Sequence, residues 1–272
     1  MDYRELASDV LRQAKALGAS GAEVVIVEDE SFSVLVRMRG VDTLKSAQGK
    51  RLGLRLFFGH RSATTATSDF SREAVARLLQ DTVAMAKATP EDPFGGLPDP
   101  GAFVADFPDL DLWDAESAAL PIPDRIALAG QAEAAALAFD PRISNSEGSE
   151  YAHHDAEIFF ANSHGSAGFY RASTVMLSAT PVARDAAGMQ RDGWYSVQRR
   201  LRRLEAPESV GRTAAQRTLR RLGARKPATQ EVAVVFDPDM AASLLRSLCG
   251  AVSGSSIYRD ASFLVGTIMP TS

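Results

Sequence analysis

The chain opens with apolar residues at helical spacing. These residues, which lie three or four positions apart, are Leu6, Val10, Ala14 and Leu17. Asp2 and Glu5 stand before and among them in the arrangement of a capping box, which satisfies the first backbone N–H groups of a helix. Gly18 ends the pattern, so the spacing predicts an amphipathic helix at the start of the chain.

Alternation at period two replaces the helical spacing after Gly21. The apolar and β-branched runs predict strands at residues 23–28, 31–38, 41–47 and 52–58, and the polar run at 62–67 predicts an edge strand. We interpret the first two runs as a hairpin and residues 48–50 as a turn between the next two. The region therefore reads as an antiparallel meander, followed by a second helix that Ser71 caps and that ends near Thr89.

A proline-rich stretch then separates this region from the rest of the chain. Its prolines are Pro90, Pro93, Pro98, Pro100, Pro108, Pro121 and Pro123. With few periodic positions between them, we expect a long surface connection. Beyond it, the patterns predict a helix at 124–139, strands at 143–146, 151–162, 166–180 and 194–203, a helix at 208–222, a short buried strand at 231–236 and a helix from 237 to about 249.

The order of these elements favours an α+β fold over a parallel α/β fold, because helices stand beside runs of consecutive strands. We expect two antiparallel sheet layers with flanking helices. The predicted organisation is a helix, meander and helix unit at residues 1–90, a proline-rich connection at 91–123 and a second α+β unit at 124–272.

The composition of the chain indicates how large its core can be and in which compartment the protein is expected. The chain has 272 residues, of which 45% are hydrophobic, enough for a sizeable core. Cys249 is its single cysteine, whereas chains built for oxidising compartments usually carry several. The first ten residues are rich in charge, and no stretch approaches the run of about 20 apolar residues that a membrane helix needs. We therefore expect a cytoplasmic protein without a signal peptide or membrane contact.

Charge is distributed unevenly along the chain. The net charge of −4 argues against a surface that is basic throughout, as a general nucleic-acid binder would have. Residues 189–226 nevertheless contain eleven basic and three acidic residues, a net of +8. Only Trp194 and Tyr195 lie close by, so no aromatic row is available for base stacking. We favour solvated faces or contact with an acidic partner surface over nucleic-acid binding.

The histidines offer the first candidate chemistry. His153, Asp155 and Glu157 alternate along one side of a predicted strand, and His154 lies on the other side. A zinc site needs ligands that converge from more than one flat row, so we interpret this row as a solvated polar face. His164 stands in an Asn-Ser-His-Gly string that is typical of a structural turn.

Other catalytic signals are weak or absent from the sequence. Cys249 has no neighbouring histidine, and we interpret it as a small buried hydrophobic residue. The nearest approach to a Gly-x-Ser-x-Gly elbow is 250–254, where the serine stands one place late. A phosphate-binding loop ending at Gly49-Lys50 would need glycine where Leu44 stands, and no Gly-x-Gly-x-x-Gly occurs.

Several strings resemble the TldD/PmbA family, once described as modulators of DNA gyrase. They are Gly18–Val24, Ala63–Ser71, Asp109–Leu112, Ile143–Gly148, Asn162–Gly165 and Ser256–Leu264. In that family the TldD-like subunit carries His-Glu-x-x-x-His on a helix, where two imidazoles ligate zinc and the glutamate serves as base. The corresponding residues here, 245–254, contain no histidine.

The resemblance therefore implies the amino-terminal portion of a TldE/PmbA-type subunit, with the carboxy-terminal family domain missing. It implies a noncatalytic partner of a zinc-bearing TldD-like subunit, in a complex that cleaves unfolded or flexible peptides. We expect no catalytic, cofactor-binding or metal-binding residue in this chain, and a homodimer is compatible with the family's two-subunit arrangement. The alternatives are a nucleic-acid or gyrase-binding regulator that uses the 189–226 patch, and a standalone hydrolase that uses Cys249 or the His153 row.

Overall fold

The computed structural model describes residues 2–103 and 107–267, and its elements confirm the predicted α+β class. The helices are α1 (Tyr3–Ala16), α2 (Arg72–Ala88), α3 (Ala115–Ala119), α4 (Ile122–Leu137), α5 (Pro207–Arg220), α6 (Pro238–Ala251) and α7 (Gly254–Tyr258). The strands are β1 (Gly21–Arg37), β2 (Gly40–Phe58), β3 (Arg61–Thr67), β4 (Ile143–Asn162), β5 (Ala167–Asp185), β6 (Gly188–Arg191) and β7 (Trp194–Gln198). None of the described helices is both long and apolar enough to cross a membrane.

The strands in the described residues form one curled antiparallel sheet, in the order β3-β2-β1-β4-β5-β6, with β7 also paired to β5. The expectation of two sheet layers is corrected to a single sheet, because β1 pairs with β4 from Glu23 to Val36. Hydrophobic periodicity indicates which side of a strand is buried. It does not indicate which neighbour satisfies the backbone groups along each edge, and that pairing joined the two predicted sheets.

The first two strands are also longer than predicted. β1 and β2 run unbroken through the polar segments 28–31 and 48–50, and their pairing continues through both. The predicted hairpin at the first segment and the predicted turn at the second are therefore wrong. The turn that connects β1 to β2 lies at Met38 and Arg39 instead.

A buried carboxylate holds this turn. Met38 and Arg39 have φ angles of 48° and 69°, a conformation that suits the twist of a two-residue hairpin but disfavours residues other than glycine, asparagine and aspartate. Glu133 of α4, only 1% exposed, accepts a hydrogen bond from the backbone N–H of each residue at 2.8 Å. Glu133 of α4 therefore stabilises a turn conformation that the turn residues, Met38 and Arg39, favour poorly.

Two pairs of helices lie side by side on one face of the sheet, and we call each pair, with the part of the sheet that it covers, a layer. The first layer is α1 and α2, which pack on Val24, Ile26, Leu52, Leu54, Leu56 and Phe159. The second layer is α4 and α5, which pack on Phe32, Val34, Tyr151, Val175 and Leu177. A third, smaller apolar cluster, formed by Ala136, Ile143, Ala183 and Ala215, lies at the end of the second layer.

Residues 225–272 form a compact unit of their own, distinct from residues 1–224. The described part of this unit contains α6 and α7. The buried strand predicted at 231–236 is wrong, because these residues have no regular secondary structure and are exposed. A β-branched run forms a strand only where a second strand satisfies its backbone. Cys249 on α6 is exposed and not buried as we interpreted it, and the division of the chain at 91–123 stays a prediction.

Candidate functional site

A band of charged residues crosses the helix-covered face of the sheet between the two layers. Along β1 this face carries Val24 and Ile26 under the first layer, then Glu28 and Glu30, and then Phe32 under the second layer. Alternation at period two places all five side chains on the same side of the strand. The apolar face is therefore interrupted by polar positions and not by a turn.

Cross-strand neighbours extend the band in two rows. In the first row, Glu28 lies opposite Lys50 of β2 and Glu157 of β4, and Glu157 lies opposite Arg171 of β5. The second row consists of Gln48, Glu30 and Asp155. Each row places two carboxylates directly opposite each other on β1 and β4, an arrangement that destabilises a sheet.

These rows line an open cavity of about 460 Å³. The lining residues are Glu28, Asp29, Glu30, Gln48, Gly49, Lys50, Asp155, Glu157 and Arg171. The Asp29 carboxylate lies on the opposite face of the sheet, beside Gly49, so the face of the cavity carries four carboxylates and two basic side chains, a formal charge of −2. We refer to this cavity as the acidic cleft.

The sequence analysis singled out Asp155 and Glu157 but missed the rest of the acidic cleft. A signal was present in the parity of the positions along β1. Val24 and Ile26 before the polar segment and Phe32 after it are all even-numbered, as they must be if one strand continues through the segment. A turn would not need to preserve that parity.

The two basic side chains are held on the outer strands of the acidic cleft. Nε of Arg171 lies 2.8 Å from Oε1 of Glu157, and its guanidinium lies 3.8 Å from the centre of the Trp113 ring. The ammonium of Lys50 lies 4.9 Å from the centre of the Phe70 ring. Both cations therefore contact aromatic rings. Because Lys50 lies on β2 and Arg171 on β5, the carboxylates on β1 and β4 lie between the two cations.

Tyr3, at the start of α1, reaches the acidic cleft from the first layer. Burial raises the pKa of the Tyr3 hydroxyl well above its usual range, and the hydrogen bond to Glu28 and the charge of that carboxylate raise it further. The hydroxyl therefore stays protonated at neutral pH and donates to Glu28.

We predicted that His153 lies on a solvated strand face. That prediction is wrong, because the residue is only 4% exposed. Its side of β4 continues into the second layer, where Tyr151 is fully buried. Nε2 of His153 lies 3.2 Å from Oδ1 of Asp155. The direction of the imidazole nitrogen does not allow a hydrogen bond to this oxygen, so both atoms are buried without a hydrogen-bond partner. His154, on the opposite side of the strand, is exposed.

The hydroxyl of Tyr151 continues this polar row, and it too is buried without a hydrogen-bond partner. Burial raises the pKa of Tyr151 to about 12; Arg125 opposes the rise, and the charges of Asp114 and Asp155 add to it. Among the residues that the structure describes, no group of three or more His, Cys, Asp and Glu side chains is arranged to hold a metal ion. The carboxylates that line the acidic cleft accept hydrogen bonds when they are ionised and donate none.

His164 lies in the turn between β4 and β5, where the sequence predicted it. The side-chain Oδ1 of Asn162 accepts hydrogen bonds from the backbone N–H groups of His164 and Ser166. Nδ1 of His164 lies 3.1 Å from the carbonyl oxygen of Pro98. Each polar group named here serves the turn or the neighbouring connection.

The basic stretch 189–226 folds into β6, β7 and α5. Its ion pairs within the chain are Arg191 with Glu147, Arg200 with Asp111, and Arg217 and Arg221 with Asp192. The guanidinium of Arg217 also lies 5.4 Å from the centre of the Trp194 ring. These ion pairs engage four of the eleven basic side chains in the stretch.

A second feature that suits an interaction is the outer edge of β2. Residues 52–58 pair with β3 on this side, whereas residues 40–51 pair only with β1 in the described part of the chain. Most side chains of this segment are exposed. An unpaired edge of this length presents backbone N–H and C=O groups to an additional strand. We call residues 40–51 the open β2 edge.

Two family profiles match the chain. The profile described as "PmbA/TldA metallopeptidase domain 1" matches residues 22–86, and the profile described as "PmbA/TldA metallopeptidase central domain" matches residues 115–222. The first contains most of the β1–β3 meander and nearly all of α2, and the second contains β4 to β7 with α3, α4 and α5.

Curated relatives and solved structures agree with these profiles. Metalloprotease PmbA of Escherichia coli O157:H7 is 34% identical over 92% of this chain, and the PmbA homologue of Haemophilus influenzae is 32% identical over 97%. A structure from Bacteroides thetaiotaomicron, named as a candidate modulator of DNA gyrase, superposes with a TM-score of 0.88 at 26% identity, covering 97% of this chain and 60% of its own. TldE from Thermococcus kodakarensis shares the fold, with a TM-score of 0.76 at 16% identity over 96% of this chain and 58% of its own. The chain spans 55% and 58% of the length of these two curated relatives.

Proposed function

The chain belongs to the PmbA/TldD family, and we propose that it serves as a noncatalytic partner subunit of a TldD/TldE-type zinc metalloprotease complex. In this role it pairs in the cytoplasm with a zinc-bearing TldD-like subunit, and the complex cleaves unfolded or flexible peptides. The observation that carries the proposal is the match to PmbA across 92% of this chain.

The proposal assigns the zinc to the partner subunit. A zinc site on a helix needs two histidines about one turn apart. The resemblance to TldD-like proteins implies that their metal-binding helix corresponds to α6. No histidine follows His164 in the sequence, so α6 contains none. The chemistry of bond cleavage therefore belongs to the partner, and this chain contributes binding surface.

The open β2 edge supports a role in holding an extended chain. A peptide without stable structure can add to a sheet edge through backbone hydrogen bonds, which do not depend on its sequence. This mode of binding suits substrates that share flexibility but no motif. We assign the open β2 edge to this pairing.

Peptidase activity in three mixtures tests the proposal. An unfolded polypeptide is incubated with this chain alone, with a zinc-loaded TldD-like subunit alone, and with both proteins together. We expect cleavage above the level of either protein alone only in the mixture that contains both. Zinc-dependent cleavage by this chain alone would contradict the noncatalytic role, and no gain in the mixture would contradict the partner role.

Two neighbouring proline substitutions test the open β2 edge. Successive backbone N–H groups of a strand point to opposite edges, so one of Ser46→Pro and Ala47→Pro removes an outward N–H and the other removes an N–H that pairs with β1. The variant that keeps the thermal midpoint of the wild type is the edge variant, and its neighbour is the matched control. We expect the edge variant to lose most of the gain in peptidase activity. Full peptidase activity of the mixture with that variant would show that the open β2 edge does not bind the peptide.

A further inference from the structure

We infer that the acidic cleft is a binding site for an organic cation, and that it takes a primary ammonium or guanidinium group between the carboxylates of β1 and β4. This inference does not rest on the proposed function, because it concerns binding by this chain alone. It is carried by the unbalanced charges of the cleft, by an unpartnered buried side chain, His153, next to the lining residue Asp155, and by the size of the cavity.

The first argument is the stability cost of the arrangement. Glu28 lies opposite Glu157, and Glu30 lies opposite Asp155, on the two central strands of the sheet. Like charges directly opposite each other on an antiparallel pair are destabilising, and two adjacent pairs add to that cost. Residues that lower stability without a structural partner are typical of functional sites. A bound cation would convert both pairs from repulsive to attractive.

The second argument is the distribution of partners among these carboxylates. Glu157 has Arg171, and Glu28 has the Tyr3 hydroxyl. Glu30 has only a marginal contact with Gln48, at 3.5 Å, and among the described residues neither Glu30 nor Asp155 has a Lys or Arg partner within ion-pair distance. The second row of the cleft is therefore where positive charge is lacking.

The third argument is the state of His153. This side chain is only 4% exposed, and its Nε2 lies 3.2 Å from Oδ1 of Asp155 at an angle that does not form a hydrogen bond. Buried polar atoms are nearly always paired, and an exception requires an explanation. Oδ1 of Asp155 is buried beside the imidazole, so a ligand ammonium would meet the exposed remainder of this carboxylate, whose side chain is 20% exposed.

The chemistry of the lining selects the class of ligand. The carboxylates accept hydrogen bonds only, and an ammonium donates three or a guanidinium five. The arrangement does not suit a metal ion, because the described residues contain no metal-holding group of three or more such side chains. A cavity of about 460 Å³ is large enough for a polyamine or for a lysine or arginine side chain of an extended peptide.

Calorimetric titration of the full chain at low salt tests the site. The probes are spermidine, the peptide acetyl-Ala-Ala-Lys-Ala-Ala-amide and the same peptide with norleucine in place of lysine. The variants are Glu30→Gln and Asp155→Asn, and the matched control is Glu23→Gln, which removes the same charge from the opposite face of β1. We expect each cleft variant to weaken spermidine binding roughly five-fold, the scale of one charge pair at about 4 Å in water.

A stability measurement without ligand distinguishes a binding role from a structural one. Because Glu30→Gln removes a like-charge pair, we expect the thermal midpoint to rise by about 1–3 °C while binding weakens. A lower midpoint with unchanged binding would assign Glu30 to stability and overturn the inference. Equal weakening by Glu30→Gln and Glu23→Gln would also overturn it, as would the absence of saturable binding by either cationic probe.

The two cationic probes separate the sources of the ligand. Binding of the lysine peptide, but not the norleucine peptide, with the same dependence on Glu30 would support a basic side chain of a polypeptide as the ligand. Binding of spermidine alone would support a free polyamine. Either result supports the assignment of the cleft to an organic cation.

Discussion

The two helix layers cover the same sheet but fill their cores differently. Under the first layer, large aliphatic and aromatic side chains such as Leu54, Leu79 and Phe159 fill the space between helix and sheet. In the second layer the contact between α4 and α5 is made by small residues, among them Ala132 and Gly211, and the helix backbones approach closely.

This difference determines what each layer tolerates. The first layer is sensitive to loss of volume, because a smaller side chain leaves a cavity that the sheet and helices cannot close. The second layer is sensitive to added volume, because no space remains between α4 and α5. It also contains buried polar groups, Arg125 and Glu133, which make hydrogen bonds to backbone atoms. Four substitutions test this difference between the two layers.

The largest effect is expected from Leu54→Ala in the first layer. Leu54 is fully buried in the part of β2 that pairs with both β1 and β3, so the substitution removes apolar contact and leaves a cavity. We expect the free energy of unfolding to fall by about 3 kcal/mol, measured by urea denaturation. Leu44→Ala, on the same strand at a position that is 45% exposed, is the control and should change stability by less than about 0.5 kcal/mol. Similar losses at both positions would contradict the proposed contrast in burial.

Next in size is Gly211→Ala, which adds one methyl group to the second layer. A Cβ at this position would lie 2.1 Å from the carbonyl oxygen of Ala132, so the two helices must separate. We expect a loss of about 2 kcal/mol in chemical denaturation. Gly130→Ala on α4 is the matched control, because its Cβ would meet no atom within 4 Å, and it should stabilise the protein by about 0.5–1 kcal/mol through helix propensity. If both substitutions stabilise the protein, α4 and α5 are not in close contact.

A loss of similar or slightly smaller size is expected from Glu133→Gln, which tests the polar part of the second layer. The amide can accept from only one of the two backbone N–H groups of Met38 and Arg39, so the other loses its acceptor. We expect a loss of about 1.5 kcal/mol in thermal or urea unfolding. Glu116→Gln, at an exposed position of α3, should leave stability unchanged. An unchanged midpoint for Glu133→Gln would mean that the β1–β2 turn holds its conformation without this carboxylate.

The smallest effect is expected at the exposed end of the second layer, in the connection after α4. Two side-chain hydrogen bonds and one backbone hydrogen bond from Arg142 lower the pKa of Asp140 from 3.8 to about 2. Because the pKa is lower in the folded state, the stabilisation is present above about pH 4 and is lost as the pH falls toward 2. We expect Asp140→Asn to flatten the pH dependence of the thermal midpoint in this range.

Arg142→Gln provides the cross-check on that assignment. It removes the side-chain donors while it leaves Asp140 ionisable, so it should remove most of the same pH dependence. A slope that persists in Arg142→Gln would assign the effect to the backbone hydrogen bond instead.

Sequence reasoning predicted the helices better than the sheet. The helical spacing before Gly18, the cap at Ser71 and the alanine-rich segment after Pro123 correspond to α1, α2 and α4. These elements are determined locally, because caps and apolar stripes act within a few turns of chain. The strings that resemble the TldD/PmbA family were likewise readable without any structure.

The acidic cleft could not be predicted in the same way. Glu28, Glu30 and Lys50 break the apolar alternation, so in the sequence they indicated turns between short strands. In the tertiary structure they are mid-strand residues, because two separate helix layers leave an uncovered band of sheet where charged side chains reach water. Asp155 was visible as part of a polar row, but its neighbours across β1 and β5 were not.

The sequence by itself therefore determined the α+β class, the main helices and the family. Only the tertiary structure decided that β1 pairs with β4, that one sheet replaces two, and that carboxylates more than 120 positions apart line one cleft. The physical reason is that side-chain periodicity encodes which face is buried, whereas strand pairing depends on backbone groups that every residue type shares.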